Sequence, residues 1–79
     1  MNTIELRVER MRNGVSTEEM ASVLGFRSAD AYRKHEKGIV EWNTKQILAA
    51  AERLNLTLEG VNVIFFDGKL PTSQVKRTD

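Results

Sequence analysis

The residues best placed for chemistry lie in one short polar segment, residues 24–39, where Gly25 and Gly38 stand near the two ends. Read at helical spacing, one side of this segment holds Ser28, Ala31, Tyr32 and His35. The other side holds Ala29, Asp30, Arg33, Lys34 and Lys37. One side of such a helix can pack on the rest of the fold, and the other presents a polar surface rich in cations. The predicted chemistry is therefore recognition of another macromolecule.

Catalysis is not indicated by the remaining polar residues. Ser16, Asp30 and His35 are residue types found in hydrolases, but the sequence has no nucleophile elbow and no oxyanion loop. It also has no phosphate loop and no spaced pair of carboxylates. His35 is the sole histidine and cysteine is absent, so we predict that His35 packs beside Tyr32. We expect no enzyme activity, catalytic residue, metal, cofactor or small-molecule substrate.

Length and composition predict one ordinary globular domain. Apolar residues make up 41% of the 79 residues, charged residues make up 29%, and the formal net charge is +1. No apolar segment approaches the roughly 20 residues that span a bilayer. The first residues lack the basic and then apolar pattern of a signal peptide. We therefore expect a cytoplasmic location and no membrane partner.

Five short helices must position the polar segment. The first is indicated by an apolar repeat at helical spacing, namely Ile4, Val8, Met11 and Val15. Asn13-Gly14 is the expected end of this helix. Expected side-chain caps open the other four helices: Ser16 with Glu19, Ser28, Asn43 with Gln46, and Thr57. Gly25 and Gly38 are the expected stops of the second and third helices. Inner faces are predicted at Met20, Ala21, Leu24, Ile47, Leu48, Ala51, Leu54, Leu58, Val61 and Phe65.

The predicted fold class is all-α, a compact five-helix bundle over residues 1–66 followed by a flexible tail over residues 67–79. Residues 61–66 are β-prone in isolation, so a strand there is the alternative. This run also holds more apolar surface than one side of a helix can bury. The excess, at Val63, Ile64 and Phe66, is a candidate association surface.

The motifs of the first three helices resemble the helix-turn-helix of the phage repressor and Cro family. The matching residues are Val15–Ala21, Leu24-Gly25, Tyr32 and Glu36-Lys37-Gly38, where the family pattern has Leu-Thr-Gln-Glu-Glu-Leu-Ala, Leu-Gly and Glu-Asn-Gly. The match continues through Trp42-Asn43-Thr44 and Leu56–Glu59, and so covers about residues 4–66. Trp42 takes the place of a core plug in the family. The resemblance implies a lambda-repressor-like DNA-binding domain.

One departure from the family pattern narrows the resemblance. Gly25 and Gly38 are thirteen residues apart, whereas family members commonly have twelve. Repressor-like proteins of Gram-positive phages often carry this longer turn, and Phe26–Lys34 is similar to their form. The resemblance therefore implies a regulator of a phage or prophage lysis-lysogeny switch in the cytoplasm of a bacterial host.

The resemblance also implies roles for single residues. The third helix would lie in the DNA major groove, where Ala29, Asp30, Arg33 and Lys34 would meet base edges. Arg27 and Lys37 would contact phosphates, and Thr17 takes the place of a glutamine near a phosphate. The full predicted binding set for DNA or a repressor is Thr17, Arg27, Ser28, Ala29, Asp30, Arg33, Lys34 and Lys37. A homodimer on operator half-sites is the expected arrangement.

The charges of this region leave two functions open. Residues 15–38 carry four cations, Arg27, Arg33, Lys34 and Lys37, and four acids, Glu18, Glu19, Asp30 and Glu36. Such a balance forfeits much of the phosphate attraction on which DNA binding depends. The first function is a transcriptional regulator that binds operator DNA. The alternative is an antirepressor that uses the same surface to bind a partner phage repressor and block its DNA binding.

Overall fold

Five α-helices form the part of the chain that the computed structural model describes, residues 1–71, and no strand occurs there. They are α1 (Thr3–Arg12), α2 (Thr17–Leu24), α3 (Ala29–Glu36), α4 (Thr44–Arg53) and α5 (Leu58–Phe65). The all-α fold class and the five helices are confirmed. The strand alternative for residues 61–66 is wrong, because the Thr57 cap starts a helix that runs through this segment.

Each helix begins where a side chain accepts a hydrogen bond from the third residue that follows it. These caps are Asn2, Ser16, Ser28, Asn43 and Thr57. The last four were predicted, and Asn43 with Gln46 forms the full reciprocal capping box. The capping box expected at Ser16 is only half formed. Glu19 donates its backbone N–H to Ser16 Oγ at 3.0 Å, but its carboxylate accepts from Arg53 on α4.

The core draws one large, fully buried side chain from each helix or its end: Leu6, Met20, Tyr32, Leu54 and Ile64. Trp42, in the loop before α4, packs against this core as predicted, and its indole N–H donates to the His35 carbonyl at 2.9 Å. Two residues predicted on inner faces, Leu48 and Leu58, are instead largely exposed. Within the described residues no helix has the length and apolar character needed to cross a membrane.

The members of the apolar repeat that lie within α1, namely Ile4, Val8 and Met11, are on the wrong side of the helix for core packing. Ile4 is 75% exposed and Met11 is 60% exposed, whereas Leu6 is fully buried. Arg10 lies one turn after Leu6 and shares its inward face, since residues four apart stack on a helix. The helix was predicted correctly, but its buried face was not. The reason is that the inward face carries a charged residue, Arg10, beside Leu6.

That charge belongs to a buried network that joins α1 to α3. Arg10 donates from Nε to Glu36 Oε1 at 2.7 Å and from Nη2 to Oε2 at 3.2 Å. The Tyr32 hydroxyl donates to the same Oε1 at 2.7 Å. The remaining Arg10 nitrogen, Nη1, donates to the Val15 carbonyl at 2.9 Å in the α1–α2 loop. The network therefore fixes α3 and this loop against α1.

The residues after α5 remain attached to it. Leu70 donates its N–H to Asn62 Oδ1 at 2.9 Å, and Asn62 Nδ2 donates back to the Leu70 carbonyl at 3.3 Å. The Gly68 N–H donates to the Asn62 carbonyl at 3.0 Å. The first residues of the predicted tail, 67–70, thus contact the helical body. Residues 72–79 of that tail lie outside the described part of the chain.

Removing one partner of the buried pair should destabilise the fold more than removing both of its charges. We predict that Arg10→Met lowers the free energy of unfolding by about 3–5 kcal/mol, because the Glu36 carboxylate is left buried without a cation. The double variant Arg10→Met, Glu36→Gln should recover much of this loss, since Gln is neutral and can still accept from Tyr32. Urea unfolding followed by Trp42 fluorescence measures both. A double variant no more stable than the single one would contradict this.

Candidate functional site

The turn between α2 and α3 is closed by a glycine and a serine. Gly25 has φ +78°, a left-handed conformation in which other residues are strained, and it ends α2. The Phe26 N–H then donates back to the Ala21 carbonyl at 2.8 Å. Ser28 opens α3 by accepting from the Ala31 N–H at 3.3 Å. This short connection lets α3 pack directly on α2.

The inner side of α3 is held by an aromatic cluster. His35 is buried, stacks on Phe26 with ring centroids 4.4 Å apart, and meets the edge of Trp42 at 5.8 Å. Its Nδ1 lies 3.0 Å from the Ala31 carbonyl. Tyr32 is fully buried and also meets Trp42 edge to face. The prediction that His35 is a packing residue is confirmed, and both His35 and Tyr32 contact Trp42.

The outer side of α3 carries most of the predicted binding residues. Asp30, Arg33, Lys34 and Lys37 are exposed there, and Arg27 is exposed in the preceding turn. Ala29 is half-buried. Ser28 is exposed, but its hydroxyl accepts the capping hydrogen bond. Asp30, Arg33, Lys34 and Lys37 share one side of α3 at helical spacing, and together with exposed Arg27 in the preceding turn they are here named the α3 face.

Two of the four acids in residues 15–38 are paired with cations from outside that segment. Glu36 is buried against Arg10 of α1, and the two side chains are 10% and 11% exposed. Glu19 forms an ion pair with Arg53 of α4. The apparent charge balance of the sequence is therefore not the balance of the surface. Four cations remain against two acids, Glu18 and Asp30, which is a net charge of +2.

The remaining acids restrain this surface only weakly. Glu18 Oε2 lies 3.7 Å from Arg33 Nη2, and both side chains are well exposed. Pairs of this kind contribute little in water, so Arg33 is free to turn toward a ligand. Asp30 lies in the first turn of α3. A carboxylate there is favoured by the helix dipole.

A cleft between α1 and α3 extends the cationic surface beyond the predicted residues. Its walls include Thr17, Arg33 and Lys37, together with Arg7 of α1. Arg7 is exposed and was missed by sequence reasoning. The signal was present, because Arg7 and Arg10 are three residues apart and so share a side of the helix. It was overlooked because α1 was read for its apolar repeat alone.

The candidate association surface is only partly available. Ile64 is fully buried in the core, so its assignment to that surface is wrong. The cause is that α5 turns Ile64 inward while Val63 and Phe66 face outward, with 40% and 37% of their surfaces exposed. Val63 and Phe66 remain candidates.

The surroundings of the network behind α3 shift the pKa values of two of its members, Tyr32 and Arg10. Burial raises the pKa of the Tyr32 phenol above its usual value, and the hydrogen bond to Glu36 raises it further. The hydrogen bond to Glu36 also raises the pKa of Arg10. Both shifts favour the protonated side chains. The network therefore depends on a neutral tyrosine beside an ion pair.

Among residues 1–71, no group of three or more histidine, cysteine or acidic side chains is arranged to hold a metal ion. Comparisons of the chain with models of protein families, with curated proteins and with solved structures give no match. The resemblance to the phage repressor and Cro family therefore rests on the sequence motifs described above.

The raised pKa of Tyr32 predicts a loss of stability in alkali. The folded pKa lies above the unfolded value of about 10, so this stabilisation is complete below pH 10 and is lost as the pH rises further. We expect the free energy of unfolding to fall by up to about 1.4 kcal/mol per pH unit in that range. Tyr32→Phe should remove this contribution to the slope.

The measurement uses the phenolate absorbance, which reports Tyr32 alone because the chain has one tyrosine. Phenolate should appear together with the change in Trp42 fluorescence that marks unfolding. Phenolate that forms near pH 10 in a folded domain would contradict the prediction.

Proposed function

We propose that this chain is a helix-turn-helix transcriptional regulator that binds operator DNA through α3. In this proposal α2 and α3 are the two helices of the motif, and α3 enters the major groove. The family resemblance adds the setting, a phage or prophage lysis-lysogeny switch, and a homodimer on operator half-sites.

The observation that carries the proposal is the net positive charge of the exposed surface around α3. The attraction between a protein and the DNA backbone depends on cations that can reach phosphates. Glu36 cannot oppose them, because it is buried on Arg10, and Glu19 is paired with Arg53. The charge balance counted in the sequence favoured a protein partner, and the pairing of these two acids weakens that argument.

The arrangement of the α3 face supports separate roles for its cations. Arg33 lies in the middle of the exposed side, and its fork of donors can pair with both acceptors of a guanine. Arg27 is exposed in the turn before α3, and Lys37 is exposed at its C-terminal end. Cations in such flanking positions can contact phosphates, which fix the register of the helix in the groove.

The test is selection of duplexes from a random-sequence library, followed by affinity measurements on the selected duplex and a scrambled one. The wild-type chain should prefer the selected duplex, and Arg33→Gln should cost about 1–3 kcal/mol of that discrimination. Lys45→Gln, at the exposed start of α4, is the matched control and should cost none of it. Equal affinity for selected and scrambled duplexes would rule out sequence-specific recognition.

A second candidate is the antirepressor, and Asp30 is the observation that favours it. This carboxylate is exposed on the α3 face, where it would oppose phosphates in a major groove but attract a basic recognition helix. Co-purification with a phage repressor, followed by loss of that repressor's operator binding, would support this function.

Asp30→Asn separates the two functions by the sign of its effect. On DNA, loss of the carboxylate should strengthen binding, because one source of repulsion is removed. On a basic protein partner it should weaken binding. The substitution should lower stability by about 0.3–1 kcal/mol through the helix dipole, so thermal unfolding is measured alongside. An Asn variant with unchanged DNA affinity would show that Asp30 lies outside the interface.

A further inference from the structure

We propose that the cleft between α1 and α3 is a binding site for a backbone phosphate of duplex DNA, with Arg7 as its principal contact. This inference rests on the proposed function and adds a residue from α1 to the interface. Three helices form the proposed phosphate site, because Thr17 at the start of α2 also lines the cleft.

The shape and lining of the cleft fit an anion of this size. Its volume is about 340 Å³, and its lining residues are Thr3, Ile4, Arg7, Arg10, Thr17, Arg33, Glu36 and Lys37. Ligand pockets begin at roughly 300 Å³, so a single sugar-phosphate unit is a better match than a large ligand. Cations from α1 and α3 line it. An anion between them could accept charge-assisted hydrogen bonds from both helices.

Of the two α1 cations that line the cleft, Arg7 is the one whose charge is not balanced by an acid. Arg10 lies nearby, but its guanidinium is committed to Glu36 and to the Val15 carbonyl. The Arg10–Glu36 pair therefore adds no net charge. Across the described part of the chain Arg7 forms no salt bridge, and it is exposed. Arg7 and Lys37 thus supply cationic charge to the cleft that Glu36 does not balance.

The position of the cleft favours a phosphate over a base edge. Arg7 belongs to α1, and of the proposed base-reading residues Ala29, Asp30, Arg33 and Lys34 on α3, Arg33 alone also lines the cleft. A strand that runs past α3 in the major groove would bring its backbone, and not its base edges, to the flanking helix. Contacts of this kind add affinity without sequence preference.

The experiment compares Arg7→Gln with Arg12→Gln. Arg12 is on the same helix and is 65% exposed, but it pairs with Glu9 and lies outside the cleft. Affinities for a selected duplex and a random-sequence duplex are measured between about 0.05 and 0.3 M salt, with thermal unfolding as a check on folding. The Arg12 variant should match the wild type.

Arg7→Gln should weaken binding to both duplexes by about eightfold at 0.1 M salt and reduce the salt slope by about 0.9, which is the share of one phosphate contact. The ratio of the two affinities should stay constant. An unchanged slope, or a changed ratio, would overturn the phosphate site while the proposed function stands. A wild-type chain that binds neither duplex would overturn both.

Discussion

The buried contact of Arg10 with Glu36 and Tyr32 is the interaction on which the rest of the structure depends. It links α1 to α3 through two side-chain hydrogen bonds and ties the α1–α2 loop through a third, while the Tyr32 hydroxyl adds a fourth within α3. An ion pair at this depth gains strength from its low-dielectric surroundings, but each member is costly when left alone. The pair therefore specifies one orientation of α3 against α1. Tyr32 reinforces that orientation from the core.

This constraint also decides the charge that the molecule presents. Glu36 is held inside, and its charge is balanced by its partner Arg10. Glu19 is engaged by Arg53 on the far helix of the bundle. The surface that remains around α3 keeps all four of its cations and two of its acids. Structural pairing thus converts a segment that is neutral in sequence into a positive surface, and Arg7 enlarges it.

The helices and their caps could be predicted because their signals are local. Ser16, Ser28, Asn43 and Thr57 each act on a backbone N–H three residues later, so the sequence near each helix start contains the whole interaction. The exposed and buried sides of α3 follow from its period in the same way. Asn2 was missed, although its signal is equally local.

The inward face of α1 and the surface charge could not be predicted, because both depend on distant partners. Arg10 and Glu36 are 26 residues apart, and Glu19 and Arg53 are 34 apart. No local window contains both members of either pair. A count of charges over residues 15–38 therefore includes the acids and omits the cations that neutralise them. Arg7 was missed for another reason, since it lies on α1, which was read for its apolar repeat alone.

The most direct measurement is the salt dependence of wild-type binding to a random-sequence duplex, where base recognition contributes nothing. A positive surface around α3 predicts that the logarithm of the association constant falls linearly with the logarithm of salt concentration, with a slope of about −2 to −4 for a few phosphate contacts. A slope near zero, or no binding at about 0.05 M salt, would contradict the claim that paired acids leave a cationic DNA-binding surface.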